Sequence, residues 1–239
     1  MEHLTVRRLW TSILDLLYPP RCVGCEDVGA WFCGECMSQV HRVSRPLCEQ
    51  CGHALGEVSS RVCRRCRSAP LQIDCIRSVA YSEGALREAI HALKYRGVTA
   101  LAVPLADLMA EHWARYPMEV DVIVPVPLHK RRLRWRGFNQ AVCLASELAK
   151  RIDLPVDEDV LIRHRATAAQ VDLDAEQRKE NVEGAFRCTD RGAVDQRVLL
   201  IDDVCTTGST LEACAVALRQ GGARSVQALT LARARPGGR

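Results

Sequence analysis

The stretch V-L-L-I-D-D-V-C-T-T-G-S-T-L, from Val198 to Leu211, decides how this chain folds. Its four leading apolar residues, Val198 to Ile201, are long enough for a buried strand. Two carboxylates follow, Asp202 and Asp203. Then come Val204-Cys205 and a short loop of Thr206, Thr207, Gly208, Ser209 and Thr210. From Leu211 the period changes. Leu211, Ala215 and Leu218 recur at helical spacing until Gly221-Gly222 ends the helix. The order is strand, acidic pair, hydroxyl-rich glycine loop, helix.

Each part has a chemical reason. A loop entering a helix leaves backbone N–H groups unpaired and pointing outward, which favours an anion such as phosphate. Gly208 lets the backbone come close. The hydroxyls of Thr206, Thr207, Ser209 and Thr210 donate to phosphate oxygens without adding charge. Two carboxylates at a strand end suit a ligand with adjacent hydroxyls, as on a ribose. In an open α/β sheet, ligands sit beyond the carboxyl ends of the strands, where this loop lies. A phosphorylated ribose satisfies all three parts. A merely N-capped helix is the plainer reading, but it leaves the two carboxylates unexplained. The stretch resembles the phosphoribosyl pyrophosphate (PRPP) signature of type I phosphoribosyltransferases, an apolar run, two acidic residues and a loop close to T-T-G-x-T. It is not a Walker A loop, because no G-K-[ST] is present.

The chain of 239 residues has room for one medium domain and a small one. A net charge of +4 is too mild to argue for nucleic acid by itself. No 18-residue apolar run exists, so no membrane span is expected. Residues 1–20 read as an amphipathic helix ended by Pro19-Pro20. A signal peptide fits less well, because Asp15 interrupts the apolar part and no small-residue cleavage site follows. The expected location is the cytoplasm.

Of thirteen cysteines, eight form four C-x-x-C pairs: Cys22/Cys25, Cys33/Cys36, Cys48/Cys51 and Cys63/Cys66. A C-x-x-C turn sets two thiolates on one tetrahedral zinc, and two such turns complete a site. Two structural zinc ions are therefore expected in residues 21–70. Sequential pairing, Cys22 to Cys36 and Cys48 to Cys66, is favoured over an interleaved one, which spacing also permits. His41 and His53 read as surface residues rather than ligands. Cys75, Cys143, Cys188 and Cys214 read as small core hydrophobes, and Cys205 as a bystander in the phosphate loop.

After Pro70 the paired cysteines stop, and residues 71–239 form the second domain of this reading. Strands are expected over Ile73–Tyr81 and Val120–Val126, with helices over Ala85–Tyr95, Thr99–Tyr116 and Phe138–Lys150. Between Val126 and Phe138 lies a basic loop with Pro127, Leu128, Lys130, Arg131, Arg132, Arg134, Trp135 and Arg136. A solvated charge run and a single-stranded nucleic-acid contact using Trp135 are two readings. Its place at the carboxyl end of a buried strand favours a third, a pyrophosphate loop, for which arginine forks are well suited. Residues 163–186 are polar and apolar-poor, which suits a lid over a water-sensitive ligand.

The whole chain resembles the ComF family, also called ComFC or GntX-like proteins. The likeness is carried by the C-x-x-C pairs, L-K-Y-R-G (Leu93 to Gly97), V-P-V-P-L (Val124 to Leu128) and R-x-R-G-F-N-Q (Arg134 to Gln140). It continues through R-x-x-A-T-x-x-Q (Arg163, Thr167, Gln170), R-x-x-N-x-x-x-A-F (Arg178 to Phe186) and D-D-V-x-T-T-G-S-T (Asp202 to Thr210). It implies an α/β type I phosphoribosyltransferase fold, Rossmann-like with a mostly parallel sheet, behind a small N-terminal double zinc ribbon. It also implies PRPP bound with Mg²⁺, and a link to DNA uptake, competence or use of external DNA. Partners on this reading are PRPP or a related phosphorylated ribose, single-stranded DNA and competence-machinery proteins. One departure matters. The 6-oxopurine branch uses an acidic residue three places after the acidic pair, and Thr206 stands there. No catalytic base is assignable and the acceptor stays open. The alternative is a non-catalytic competence factor that binds single-stranded DNA through the ribbons and the basic loop.

Overall fold

The computed structural model describes residues 19–56, 60–166 and 175–235. Residues 1–18 of the expected N-terminal helix, and Thr167 and Gln170 of the expected lid, lie outside the described residues. In chain order the described elements begin with α1 (Gly34–Ser38), α2 (Arg64–Ser68), β1 (Cys75–Tyr81), α3 (Gly84–Tyr95), a 3-10 turn (Thr99–Leu101) and α4 (Ala102–Arg115). They continue with β2 (Val122–Pro125), α5 (Lys130–Arg136), α6 (Gln140–Ile152), β3 (Leu161–Arg163) and α7 (Ala175–Val182). The last are β4 (Phe186–Cys188), β5 (Arg197–Cys205), α8 (Ser209–Gln220) and β6 (Ser225–Arg233). The expected helix over Thr99–Tyr116 is thus divided. Pro104 has no N–H to give, which suits it to the first turn of α4 and not to a helix interior.

The chain divides into two compact units. The first comprises residues up to Val40 together with Glu83–Leu101. In it the first cysteine quartet packs on α3. A side chain at Gly24 would meet Ala85 Cβ and Cys36 Sγ at 2.8 Å each, so the knuckle lies close on that helix.

The second unit holds His41–Ser82 and everything from Ala102 onward. Its centre is a four-stranded parallel sheet in the order β1-β6-β5-β2. Parallel strands buried on both faces need unbroken apolar runs. In β5, Val198, Leu199, Leu200 and Ile201 are all fully buried. Val198 and Leu200 join Val122, Val124, Leu211, Cys214 and Leu218 in one core, under α8. The alternating residues face the other way, where α4 and α6 pack on each other and on the strands. Helices on both faces make this a doubly wound α/β domain. The short antiparallel pair β3–β4 lies against α8 and joins the two ends of the expected lid.

The basic stretch is not a loop. Residues 130–136 form α5, which corrects the sequence reading. His129 caps it, its Nδ1 accepting from the Arg131 N–H at 3.2 Å. Gly137 closes it with φ 83°, donating to the Leu133 carbonyl at 2.8 Å. Arg, Lys and Leu are good helix formers, so with both ends capped the segment helicises despite its charge.

Residues 41–52 run along the outer edge of β1. The Val43 N–H donates to the Val79 carbonyl, the Tyr81 N–H to His41, and the Ile76 N–H to Gln50. The second quartet therefore belongs to the sheet, and it covers an edge strand that would otherwise stand bare.

Candidate functional site

β5 delivers the acidic pair and the loop to the carboxyl end of the sheet. Asp203 is buried, at 3% exposure, while Asp202 is half-buried and accepts the Asp203 N–H at 2.8 Å. Gly208 adopts φ 84°, a left-handed conformation natural to glycine, and opens α8. A β-carbon there would also crowd Ile76 Cδ1 at 3.1 Å. Thr207 Oγ1 and Ser209 Oγ share a hydrogen bond of 2.8 Å, and the Ser209 N–H reaches Thr207 Oγ1 at 3.3 Å. Thr206 is exposed, and Thr210 half-buried. The loop thus gathers hydroxyls and backbone N–H groups at a helix start, the equipment for a phosphate.

Cys205 is not equipped as a nucleophile. Burial pushes its thiol up to about 11, so the thiolate is scarce at neutral pH.

Beyond β2, Pro127 and Leu128 are half-buried. A cavity of about 280 Å³ is lined by His129, Arg131, Arg132, Trp135, Arg163 and Ala166. Arg132 is half-buried at this wall, while Lys130 and Arg134 are exposed and Arg136 reaches Gln140 Oε1 at 2.5 Å. Arg163 comes from the stem of the expected lid, buried to 8% exposure, with its guanidinium 5.2 Å from the Phe186 ring. Burial pulls its pKa down, Arg132 adds to this, and Asp202 opposes it. So the structure brings Arg132, Arg163 and Asp202 into one electrostatic neighbourhood. Of the other lid residues, Thr167 and Gln170 are not described, and of Arg178 only its place in α7 is.

Three supporting residues were missed in the sequence. Asn139 caps α6 through the Ala141 N–H and also donates to the Val126 carbonyl at 3.0 Å, tying α6 to the strand end. Its place in the G-F-N-Q run before a helix was the available signal. Glu212 accepts from the Gln72 and Ile73 N–H groups at 2.8 and 3.1 Å. Arg65 donates to the Thr207 carbonyl at 3.2 Å. Nothing local marks the last two.

The cysteines form two groups, Cys22, Cys25, Cys33 and Cys36, and Cys48, Cys51, Cys63 and Cys66. Pairing is thus sequential. Within each, the four sulfurs lie within 4.8 Å of one another. The Cys25–Cys33 and Cys51–Cys63 sulfur separations are 3.6 and 3.7 Å. A tetrahedral zinc with Zn–S bonds of about 2.3 Å requires sulfur–sulfur edges of about 3.8 Å. The charges fit as well. Burial works against the Cys22 and Cys48 thiolates, yet converging backbone N–H groups, led by Cys33 and Cys63, bring both down to about 6. Burial and the neighbouring sulfurs push Cys36 and Cys66 up. Four sulfurs this close ionise together only around a cation, so the residues fit structural zinc.

Comparison with known proteins agrees. The family described as "Double zinc ribbon domain" matches residues 13–67, and "Phosphoribosyl transferase domain" matches residues 138–239. The DNA utilization protein YhgH of Salmonella typhi is 37% identical over 208 residues, covering 84% of this chain and 89% of that one. Competence protein F of Haemophilus influenzae is 29% identical over 228 residues, covering 90% and 97%. Among solved structures, glutamine PRPP amidotransferase from B. subtilis matches at 19% identity over 54% of this chain and 26% of that one, with a TM-score of 0.39. Fold and cysteine quartets together define a type I phosphoribosyltransferase domain with an N-terminal double zinc ribbon. The chain belongs to the ComF family of such proteins. Among the described residues, no helix is long and apolar enough to cross a membrane.

Proposed function

We propose that this protein binds PRPP, or a closely related phosphorylated ribose, and serves the use or uptake of external DNA in the cytoplasm. The observation that supports this most is the loop at the end of β5, where Gly208, Thr207 and Ser209 open α8 directly behind Asp202 and Asp203. In this reading the loop takes the 5′-phosphate. The carboxylates take the ribose hydroxyls, and Arg132 and Arg163 face the pyrophosphate. Magnesium would be carried by the ligand's phosphate oxygens, the hard donors it prefers, and would offset their charge beside Arg132 and Arg163. Residues 71–239 carry this site, and 21–70 carry the two zinc centres. If turnover occurs, PRPP is the donor. Thr206 then argues against a 6-oxopurine acceptor, because the position offers no carboxylate to deprotonate the base.

The test is calorimetric titration of PRPP with Mg²⁺, followed by a turnover screen with nucleobases, amines and DNA. Saturable binding below millimolar ligand is expected. Absence of any heat at millimolar PRPP discards the donor-site reading. Trp135 supports a second reading, a non-catalytic factor for single-stranded DNA. The residue is 70% exposed and borders the same cavity as Arg131 and Arg132, so an aromatic side chain stands beside fixed positive charge. DNA affinity that falls steeply with salt and collapses in Trp135→Ala, with no PRPP binding, favours it over the first.

A further inference from the structure

The second cysteine quartet and the phosphate loop are far apart in sequence and joined in space. Arg65 lies on α2, next to the ligand Cys66, and its Nη1 donates to the Thr207 carbonyl across 142 residues. Glu212, in the first turn of α8, holds the Gln72 and Ile73 N–H groups, where the chain leaves the quartet. Gly208 sits against Ile76. Ile76 in turn donates to Gln50, between Cys48 and Cys51, at 2.7 Å. Arg233 of β6 donates to the carbonyls of Cys51 and Gly52, and Arg77 of β1 to those of Cys48 and Glu49. The quartet is thus anchored to two strands, and α2 is anchored to the quartet by Cys66.

We propose that Arg65 is a positioning residue for the phosphate loop, so that the second quartet, when metallated, sets the loop's readiness for a 5′-phosphate. The reason is the peptide plane. The Thr207 carbonyl and the Gly208 N–H belong to one rigid, trans unit and point in opposite directions. A guanidinium that fixes the carbonyl therefore aims the N–H. Gly208 needs such a restraint more than other residues, because free glycine samples the widest backbone range. The positive charge on the carbonyl also polarises the peptide and strengthens the N–H as a donor. Coupling is reciprocal: whatever factor metal at this quartet adds to ligand affinity, the ligand adds to metal retention. This rests on the 5′-phosphate reading of the loop.

The experiment uses the full, zinc-loaded chain and the variants Arg65→Ala, Arg65→Lys and Arg64→Ala. Zinc content is measured first, to show that both quartets remain loaded. Hydrogen exchange then follows the amides of residues 206–211 in the ligand-free proteins. Calorimetry measures ribose 5-phosphate, PRPP and inorganic pyrophosphate. Arg65→Ala is expected to speed exchange at Thr207 and Gly208. It weakens ribose 5-phosphate and PRPP by the same factor, roughly three- to tenfold, the worth of an ordinary net hydrogen bond, because Arg65 orients the loop and does not touch the ligand. It leaves pyrophosphate binding alone, which general destabilisation would not do. Arg65→Lys recovers part of the loss, and Arg64→Ala shows none. Unchanged exchange in Arg65→Ala overturns the proposal, as does an equal loss for pyrophosphate. Should the wild-type protein bind no phosphorylated ribose, the ligand reading fails alone, and the exchange comparison still decides the coupling. Should Arg65→Ala lose zinc, Arg65→Lys with both metals in place decides it by the same exchange readout.

Discussion

Consecutive carboxylates on a strand face opposite ways, and Asp202 and Asp203 do so here, one half-buried and one buried. β2 ends opposite Ile201, while β5 and β6 stay paired through Cys205, so both carboxylates lie past the end of β2. Charge-assisted hydrogen bonds to ribose hydroxyls are worth ~1.5–3 kcal/mol each. Replacing both by Asn keeps size and polarity and removes the charge. PRPP affinity is expected to drop at least tenfold, about 1.4 kcal/mol, with an unchanged circular dichroism spectrum. An unchanged affinity in calorimetry refutes the ribose role. At this scale the sequence was highly legible, because strand, pair and loop are one contiguous stretch. Arg65 and Glu212 were not, because they act on backbone 142 and 140 residues away.

Helix α5 turns a run of charge into two faces. Arg132 and Trp135 border the cavity with Arg163, while Arg134 is exposed and is not part of that wall. Arg132→Ala is therefore expected to weaken pyrophosphate binding several-fold in calorimetry, and Arg134→Ala to leave it nearly unchanged. Equal losses mean that α5 acts as diffuse charge only. The helix was legible in principle from His129 and Gly137 at its ends, but the density of arginine masked it. Helix α4 makes a different prediction. His112 is buried, and burial, with Arg42, Arg77, Arg115 and Arg45 around it, pulls its pKa from 6.5 to about 4. The unfolded chain takes up this proton below pH 6.5, while the folded chain resists until about pH 4. Stability from this source is whole above pH 6.5 and is lost as the pH falls toward 4. Urea melts at pH 7.5, 6 and 5 measure it. His112→Met flattens that interval; a slope that survives the substitution assigns it to other groups.

On the scale of the molecule, eight thiolates in two quartets predict about two zinc ions per chain. Elemental analysis of protein purified without added zinc checks this, and less than one zinc with eight freely reactive thiols refutes it. Spacing favoured the sequential pairing but also allowed an interleaved one; the convergence of each quartet's sulfurs decides it. That the quartets belong to different compact units was not legible, since it depends on which distant elements each knuckle meets. The sheet order was equally hidden, and it bears on how the chain is made. β1 lies beside β6, and Cys75 waits for Gln227, 152 residues later. At about 5–20 residues per second, a ribosome needs on the order of ten to thirty seconds to supply that partner. Residues 41–52 already guard one side of β1 in the meantime, but its other side stays open to any stray strand. The nascent chain thus has a vulnerable window fixed by topology. Slow synonymous codons between positions 82 and 225 are expected to raise the insoluble fraction, whereas the same codons after 233 leave it unchanged.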